Sequence, residues 1–216
     1  ETLDKLTEDK HVLDGRFMAT TFNLLRSNDL IWNYVVNNYM LGKDYFPFDL
    51  LYWNSDATNV PARWHQQYIK DLYRENLMVQ PGALTVCGVP IDLKTVKTPT
   101  FIQAGKEDHI APAKSAFKLT KAFSGETRFV LAGSGHIAGV VNPPSAMKYQ
   151  HWIGDPTVAT LDDFIASGTE TKGSWWPHWL TWLTPRSGKQ VKPRMPGEGP
   201  YTAIEDAPGA YVKERI

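Results

Sequence analysis

Two side chains in this sequence of 216 residues stand where acid–base chemistry could be done. They are Asp108, in Gly105-Lys-Glu-Asp-His109, and His136, in Gly133-Ser-Gly-His-Ile137. A carboxylate beside an imidazole accepts a hydrogen bond from one ring nitrogen and fixes the tautomer. The other nitrogen can then take a proton from a Ser or Cys nucleophile. A free imidazole titrates near ~6.5, so that proton can be taken and returned close to neutrality. The same two residues also read as an ordinary turn Asp and a surface His. The nucleophile is what the sequence lacks. An elbow needs Gly-x-[Ser or Cys]-x-Gly between a strand and a helix, and the only glycines at that spacing, Gly135 and Gly139, flank Ile137. Cys87 precedes Asp108 and His136 in the right order, but Pro90 and Pro99 leave no room for an elbow helix. It reads as a buried, inert thiol. Ser134 is too close to His136 in the chain to be its usual attacking partner.

The elements that must position this pair are legible around it. Residues 98–105 form a β-type run ending in Gly105, a helical stretch follows over 112–123, and residues 127–133 form a second β-type run. Strand, helix, strand at this spacing predicts a βαβ unit in a parallel sheet. Such sheets carry their chemistry on loops beyond the carboxyl ends of the strands, where both Asp108 and His136 fall. Gly133-Ser-Gly-His-Ile-Ala138 formally matches a dinucleotide fingerprint, but Asn142-Pro-Pro144 leaves too short a stretch for the pyrophosphate-binding helix. Asp108, His109 and His136 lack the spacing of a recognised metal motif.

Upstream, residues 11–42 predict a helix with Ile31, Val35 and Tyr39 on one face and Trp32, Val36 and Met40 one step round. Ser27 or Asn28 could cap it and Gly42 stop it. A second helix is expected over 61–78, with Asn59 as cap and Trp64, Tyr68 and Leu72 aligned. Residues 44–59 between them hold Tyr45, Phe46, Phe48, Tyr52 and Trp53, which suits either core packing or an apolar ligand surface. Beyond Pro144 the chain reads as irregular, apart from a short helix capped by Ser174 and bearing Trp175, Trp179 and Trp182 or Leu183. Residues 188–216 read as a Gly- and Pro-rich extended tail.

Composition narrows the function classes. Lys and Arg number 23 against 23 Asp and Glu, a net charge of zero that argues against a nucleic-acid partner. At 42% hydrophobic and 12% aromatic residues the chain can build a core of one domain, or one and a half. No apolar run is long enough to span a bilayer, and the single Cys fits a reducing, cytoplasmic compartment. Glu1 stands where an initiator Met is expected, so the chain reads as excised or partial.

Seven blocks then become specific together: NDLIWNYVVNNY, PFDLLYWNSDATN, LTVCGVPIDL, GKEDHIAP, FVLAGSGHIAGVVNPP, GSWWPHW and YTAIEDAPGAYVK. In order and spacing they resemble the C-terminal part of polyhydroxyalkanoate synthases, closest to the class I enzymes that make poly-3-hydroxybutyrate. The resemblance implies a partial α/β-hydrolase-like parallel sheet with a mainly helical cap. The cap would be residues 1–93, the βαβ part of the core 94–152, and a Trp-containing helix with an extended tail 153–216. It implies a Cys–His–Asp triad in which Asp108 matches the acid, His136 the histidine, and His109 a supporting residue. The implied substrate is an (R)-3-hydroxyacyl-CoA, whose acyl group passes through a thioester to a growing polyester chain while CoA leaves. No metal or redox cofactor is implied. Implied partners are the polyester, its granule surface and a second copy in a homodimer. The family's cysteine box would lie upstream of Glu1, so these residues alone are expected to be inactive. Two rivals stand beside this reading: an esterase or depolymerase on the same scaffold, with water as acceptor, and a non-catalytic module that docks on granules or on a synthase subunit.

Overall fold

The computed structural model describes residues 11–25, 27–45 and 57–210, and its backbone divides into two units, Glu1–Glu75 with Arg194–Ile216, and Asn76–Pro193. In the first unit, β1 (Val12–Leu13) leads into helix α1 (Gly15–Leu25), and β2 (Val60–Pro61) leads into helix α2 (Ala62–Tyr68). The two strands pair antiparallel, Val12 opposite Pro61. Asn59, expected to cap the second helix, serves the first instead: its Oδ1 accepts the Gly15 N–H at 3.0 Å. The strand pairing brings the start of α1 beside the segment before β2, so the side chain meets the nearer orphan donor. Gly15 itself admits no Cβ, which would lie 2.8 Å from the Ala57 side chain.

The helix expected over 11–42 begins instead at Gly15 and widens into turns at Asn28–Trp32 and Val35–Met40. Ser27 does not cap a new start, since it is itself helical, at φ −57° and ψ −34°. Gly42, at φ +62°, lies where the helical path ends. On the predicted apolar face Ile31 and Val35 are half-buried, whereas Trp32, Val36, Tyr39 and Met40 are exposed. The helix expected over 61–78 ends sooner: a wide turn, Ile69–Arg74, follows α2, and Asn76 at φ +51° breaks the path. Of the aromatic segment, Tyr45 stacks on Tyr34 at 6.1 Å between centroids. Phe46, Phe48, Tyr52 and Trp53 lie outside the described residues.

The second unit opens with a hairpin, β3 (Thr85–Val86) and β4 (Val89–Pro90). Its two-residue turn is Cys87-Gly88, at φ +50° and +79°, the left-handed pair that a tight hairpin of matching twist requires. Cys87 is therefore exposed, not buried as the sequence suggested. Free cysteines are commonly buried, but the turn places this thiol at a hairpin tip.

Strand β5 (Thr100–Gly105), helix α3 (Ala113–Phe117) and strand β6 (Thr127–Ala132) form the βαβ unit, with the strands parallel from Thr100–Thr127 to Gly105–Ala132. Helix α3 is shorter than predicted and tightens into a turn at Lys118–Lys121. The remaining sheet departs from the expectation of a parallel one. β7 (Gln150–Ile153) runs antiparallel to β6, and after α4 (Leu161–Ser167), β8 (Thr169–Lys172) runs antiparallel to β7. The order is β5-β6-β7-β8. The region read as irregular beyond Pro144 thus supplies half the sheet, and α5 (Trp176–Leu183) completes the unit.

The run Phe129-Val-Leu-Ala132 explains the layering. A strand covered on both faces is apolar without alternation, and all four of these residues are buried. Phe129 and Leu131 join Ile102, Ala104, Phe117, Trp152, Leu161 and Phe164 on the face covered by α3 and α4. Val130 and Ala132 join Trp175 on the other face, beside Phe101, Ile153, Trp176 and Trp179 around α5. Phe117, Phe129 and Phe164 meet with centroids 5.0–5.6 Å apart, two of the three contacts edge to face, the geometry favoured by ring quadrupoles. Among the described residues no helix is long and apolar enough to cross a membrane.

Candidate active site

The parallel pair β5 and β6 ends at one rim, and the next residues of each strand form the site. Past Gly105 the chain turns at once, with the Lys106 N–H on the Ala132 carbonyl at 2.8 Å and the Asp108 N–H on the Gly105 carbonyl at 3.2 Å. Past β6, Ser134 adopts φ +93°, a left-handed value that a non-glycine residue holds only when its surroundings impose it. Its carbonyl accepts the Glu107 N–H at 3.1 Å, tying the two loops together. A Cβ on Gly105 would stand 3.1–3.2 Å from the Ser134 and Gly135 carbonyls and the Asp108 side chain, so the loops close on a position where a side chain would crowd them.

Asp108 and His136 meet across this junction. His136 Nδ1 lies 2.8 Å from Asp108 Oδ2. The other carboxylate oxygen, Oδ1, accepts the Ile110 and Ala111 N–H groups, both at 2.9 Å, an Asx-type turn that holds the carboxylate from behind. The Asp108 side chain is 8% exposed and His136 46%. Burial works to raise the Asp108 pKa. The Ala111 N–H, the hydrogen bond to His136 and the Ile110 N–H together outweigh it and hold the carboxyl below its ordinary range. Asp108 is thus an anion at neutral pH, and with Nδ1 donating to it the His136 Nε2 lone pair is available. Among the described residues Nε2 has no hydrogen-bond partner. A half-exposed acceptor nitrogen backed by a buried carboxylate is the arrangement of a general base.

The structure therefore brings two of the three candidate residues together. His109, the third, follows Asp108 on the exposed side of the same loop. Cys87 lies on its hairpin tip, and Ser134 contributes its carbonyl to the loop junction. Among the described residues there is no group of three or more His, Cys, Asp or Glu side chains able to hold a metal ion.

Residues that spacing did not mark also build the site. His136 sits on a single helical turn: the Gly139 N–H donates to Gly135, and those of Val140 and Val141 donate to Ile137, at 2.8–3.0 Å. Two carbonyls at the end of this turn are met by indoles, that of Val140 in addition to the Asn142 N–H it accepts at 3.2 Å. Trp175 Nε1 donates to the Gly139 carbonyl and Trp176 Nε1 to that of Val140, both at 2.9 Å. The two partners stand 36 residues apart. No local pattern could have joined them, although the Ser-Trp-Trp-Pro run was visible.

Comparison with known proteins agrees with this architecture. Residues 3–143 match the family described as alpha/beta hydrolase fold. The chain is 47% identical over 205 residues to the poly(3-hydroxyalkanoate) polymerase subunit PhaC of Cupriavidus necator, covering 94% of this chain and 35% of that protein. It is 49% identical over 203 residues to the subunit of the same name from Rhizobium meliloti, covering 94% and 33%. It is 41% identical over 217 residues to poly(3-hydroxyalkanoate) polymerase 2 of Ectopseudomonas oleovorans, covering 100% and 38%. The chain thus spans about a third of the length of these curated relatives. On the family match, which takes in both site loops, the chain belongs to the alpha/beta hydrolase fold family.

Proposed function

We propose that this chain carries the acid–base part of an acyltransferase that polymerises (R)-3-hydroxyacyl-CoA into polyhydroxyalkanoate. His136 is the general base, Asp108 orients it, and His109 supports the pair. The observation that carries the reading is the 2.8 Å contact between His136 Nδ1 and a buried carboxylate, with Nε2 open at the carboxyl rim of a parallel strand pair. The relatives named as poly(3-hydroxyalkanoate) polymerases supply the chemistry.

The nucleophile, a cysteine, comes from polypeptide outside these 216 residues. Among the described residues β5 has a strand neighbour on one side alone. A further strand laid parallel along its open edge would end at the same rim as Asp108. In the reaction Nε2 takes the thiol proton and the thiolate attacks the thioester carbonyl carbon. The tetrahedral oxyanion collapses, the CoA sulfur leaves, and the imidazolium returns the proton to it. Nε2 next takes the proton of a hydroxyl on the growing chain. That oxygen attacks the enzyme-bound acyl group, an ester forms, and the cysteine sulfur leaves and is reprotonated. In this reading residues 1–93 are the cap region, and their exposed Trp32, Tyr39 and Met40 suit polyester or a second copy in a homodimer. Residues 94–152 carry the pair and 153–216 the Trp helix and tail. The enzyme works in the cytoplasm at the polymer granule surface.

The test is the intact protein with (R)-3-hydroxybutyryl-CoA, wild type against His136→Ala. The expected products are free CoA and insoluble polyester, with CoA release lowered at least ~10³-fold in the variant. Soluble 3-hydroxy acid as the product would make it a hydrolase. Granule binding without turnover, unchanged in His136→Ala, would make it a docking module.

A further inference from the structure

We propose that Trp175 and Trp176 are positioning residues for His136: their paired indole N–H groups hold the turn that carries the imidazole in register with Asp108. The proposal rests on the acid–base reading of that pair.

The geometry points to this role because a helix packed on the sheet hydrogen-bonds a short turn that carries the imidazole. Residues 135–141 form a single helical turn between β6 and β7, distinct from the short turn at Pro144–Ala146, and one helical turn has little stability of its own. Its end leaves carbonyls short of intrahelical partners; that of Val140 accepts the Asn142 N–H at 3.2 Å. Here two consecutive carbonyls, Gly139 and Val140, each receive an indole N–H at 2.9 Å, from consecutive residues at the start of α5. Gln103 Nε2 approaches the Gly139 carbonyl as well, at 3.5 Å.

The donors are anchored in turn. Trp175 is 8% exposed and packs with Val130 and Ala132. It stacks on Phe101 at 6.1 Å and meets Trp179 at 6.0 Å. The Trp176 backbone N–H donates to Ser174 Oγ at 3.1 Å. At its other end α5 continues to Arg186, which bonds Glu126 at 2.8 Å beside the first residue of β6. The helix is thus fastened along the strand that leads into the histidine loop. Gly139 itself admits no side chain, since a Cβ would lie 2.6 Å from the Gly135 carbonyl. The turn is pressed between its own backbone and the indoles. Three and four residues separate the gripped carbonyls from His136, one helical turn, so a shift at the grip is passed to the imidazole.

The test replaces Trp by Phe, which keeps an aromatic ring and removes the N–H. In the intact protein, Trp175→Phe/Trp176→Phe is expected to lower kcat about 3- to 10-fold, with KM within about twofold of wild type. A second readout needs no turnover: the downfield nuclear magnetic resonance of the His136 Nδ1 proton. It is expected to move upfield and to exchange with solvent about 10-fold faster in the double variant. Wild-type kcat together with a wild-type Nδ1 proton would overturn the proposal. So would reduced turnover with a lower melting temperature and an unchanged Nδ1 proton, which would mark the indoles as fold-stabilising only. Should the double variant fail to fold, Trp176→Phe alone, at the less buried indole, is read by the same two criteria. If His136→Ala remains active the acid–base reading itself fails, and the Nδ1 resonance still decides whether the indoles position the ring.

Discussion

Asp108→Asn is the substitution whose outcome the geometry dictates most closely. It removes one charge and almost no volume, yet the two carboxylate oxygens are not equivalent. Oδ1 accepts two backbone N–H groups at 2.9 Å, and Oδ2 faces His136 Nδ1 at 2.8 Å. An asparagine has one oxygen and one NH2 group. The oxygen must take the Oδ1 position, because an NH2 there would oppose two donors. The NH2 group is then left against Nδ1, and the ring can satisfy it only by accepting. The imidazole proton moves to Nε2, where the nucleophile's proton should go. The fold is kept and the base is disabled. Tautomer reversal in an acid–histidine pair lowers turnover by about 10⁴, or about 5.5 kcal/mol in the barrier. The assay is CoA release from (R)-3-hydroxybutyryl-CoA by the intact protein, with nitrogen chemical shifts of labelled His136 reporting which ring nitrogen is protonated. Turnover within threefold of wild type, or an unaltered tautomer, would show that Asp108 does not set the His136 tautomer. Asp108→Ala should be worse for folding, because the Ile110 and Ala111 donors lose their acceptor, at about 1–3 kcal/mol.

Other outcomes follow from the same structure. Because the Asp108 carboxyl is held below its ordinary value of 3.8, its charged form adds stability that is present above that value. This stability is lost as pH falls through the depressed folded value, so in acid titration of stability Asp108→Asn should flatten that part of the curve. Phe164→Ala removes a fully buried ring from the three-phenylalanine contact and should cost about 3–5 kcal/mol in denaturant unfolding. Thr160→Ala breaks a reciprocal cap in which Thr160 Oγ1 accepts the Asp163 N–H and Asp163 Oδ2 the Thr160 N–H, both at 3.1 Å; a loss of about 1 kcal/mol is expected by the same measurement. Cys87→Asn puts the preferred residue at the first left-handed position of its hairpin turn and should leave CoA release unchanged, with stability raised by a few tenths of a kcal/mol.

Local patterns reached the candidate site and missed its supports. The β-type runs on either side of α3 marked the parallel pair, and their ends placed Asp108 and His136 at one rim, because a crossover unit leaves little topological choice. Beyond Pro144 the signal failed for a different reason. β7 and β8 are four residues each, too short for alternation to register, and β8, Thr169-Glu-Thr-Lys172, is a charged, exposed strand at the sheet margin that reads as loop. A signal was present in Thr160-Leu-Asp-Asp163, a capping box announcing α4. Cys87 was misplaced because the general burial of free cysteines was followed and the Cys87-Gly88 turn, at φ +50° and +79°, was not recognised. The Trp175 and Trp176 contacts were beyond reach, since a bond from an indole to a backbone carbonyl leaves no pattern at either end. Length contributed as well: the family resemblance rested on seven ordered blocks, and no single short motif would have carried it.

In the proposed reading His136 and Asp108 serve a thiol that these 216 residues do not supply. The direct measurement is mass spectrometry of the intact protein after brief exposure to (R)-3-hydroxybutyryl-CoA, with peptide mapping of the acyl adduct in wild type and in His136→Ala. The expected product is a hydroxybutyryl thioester on a cysteine outside residues 1–216, formed in wild type and nearly absent in the variant. An adduct on Cys87, or equal acylation with and without the imidazole, would contradict that reading.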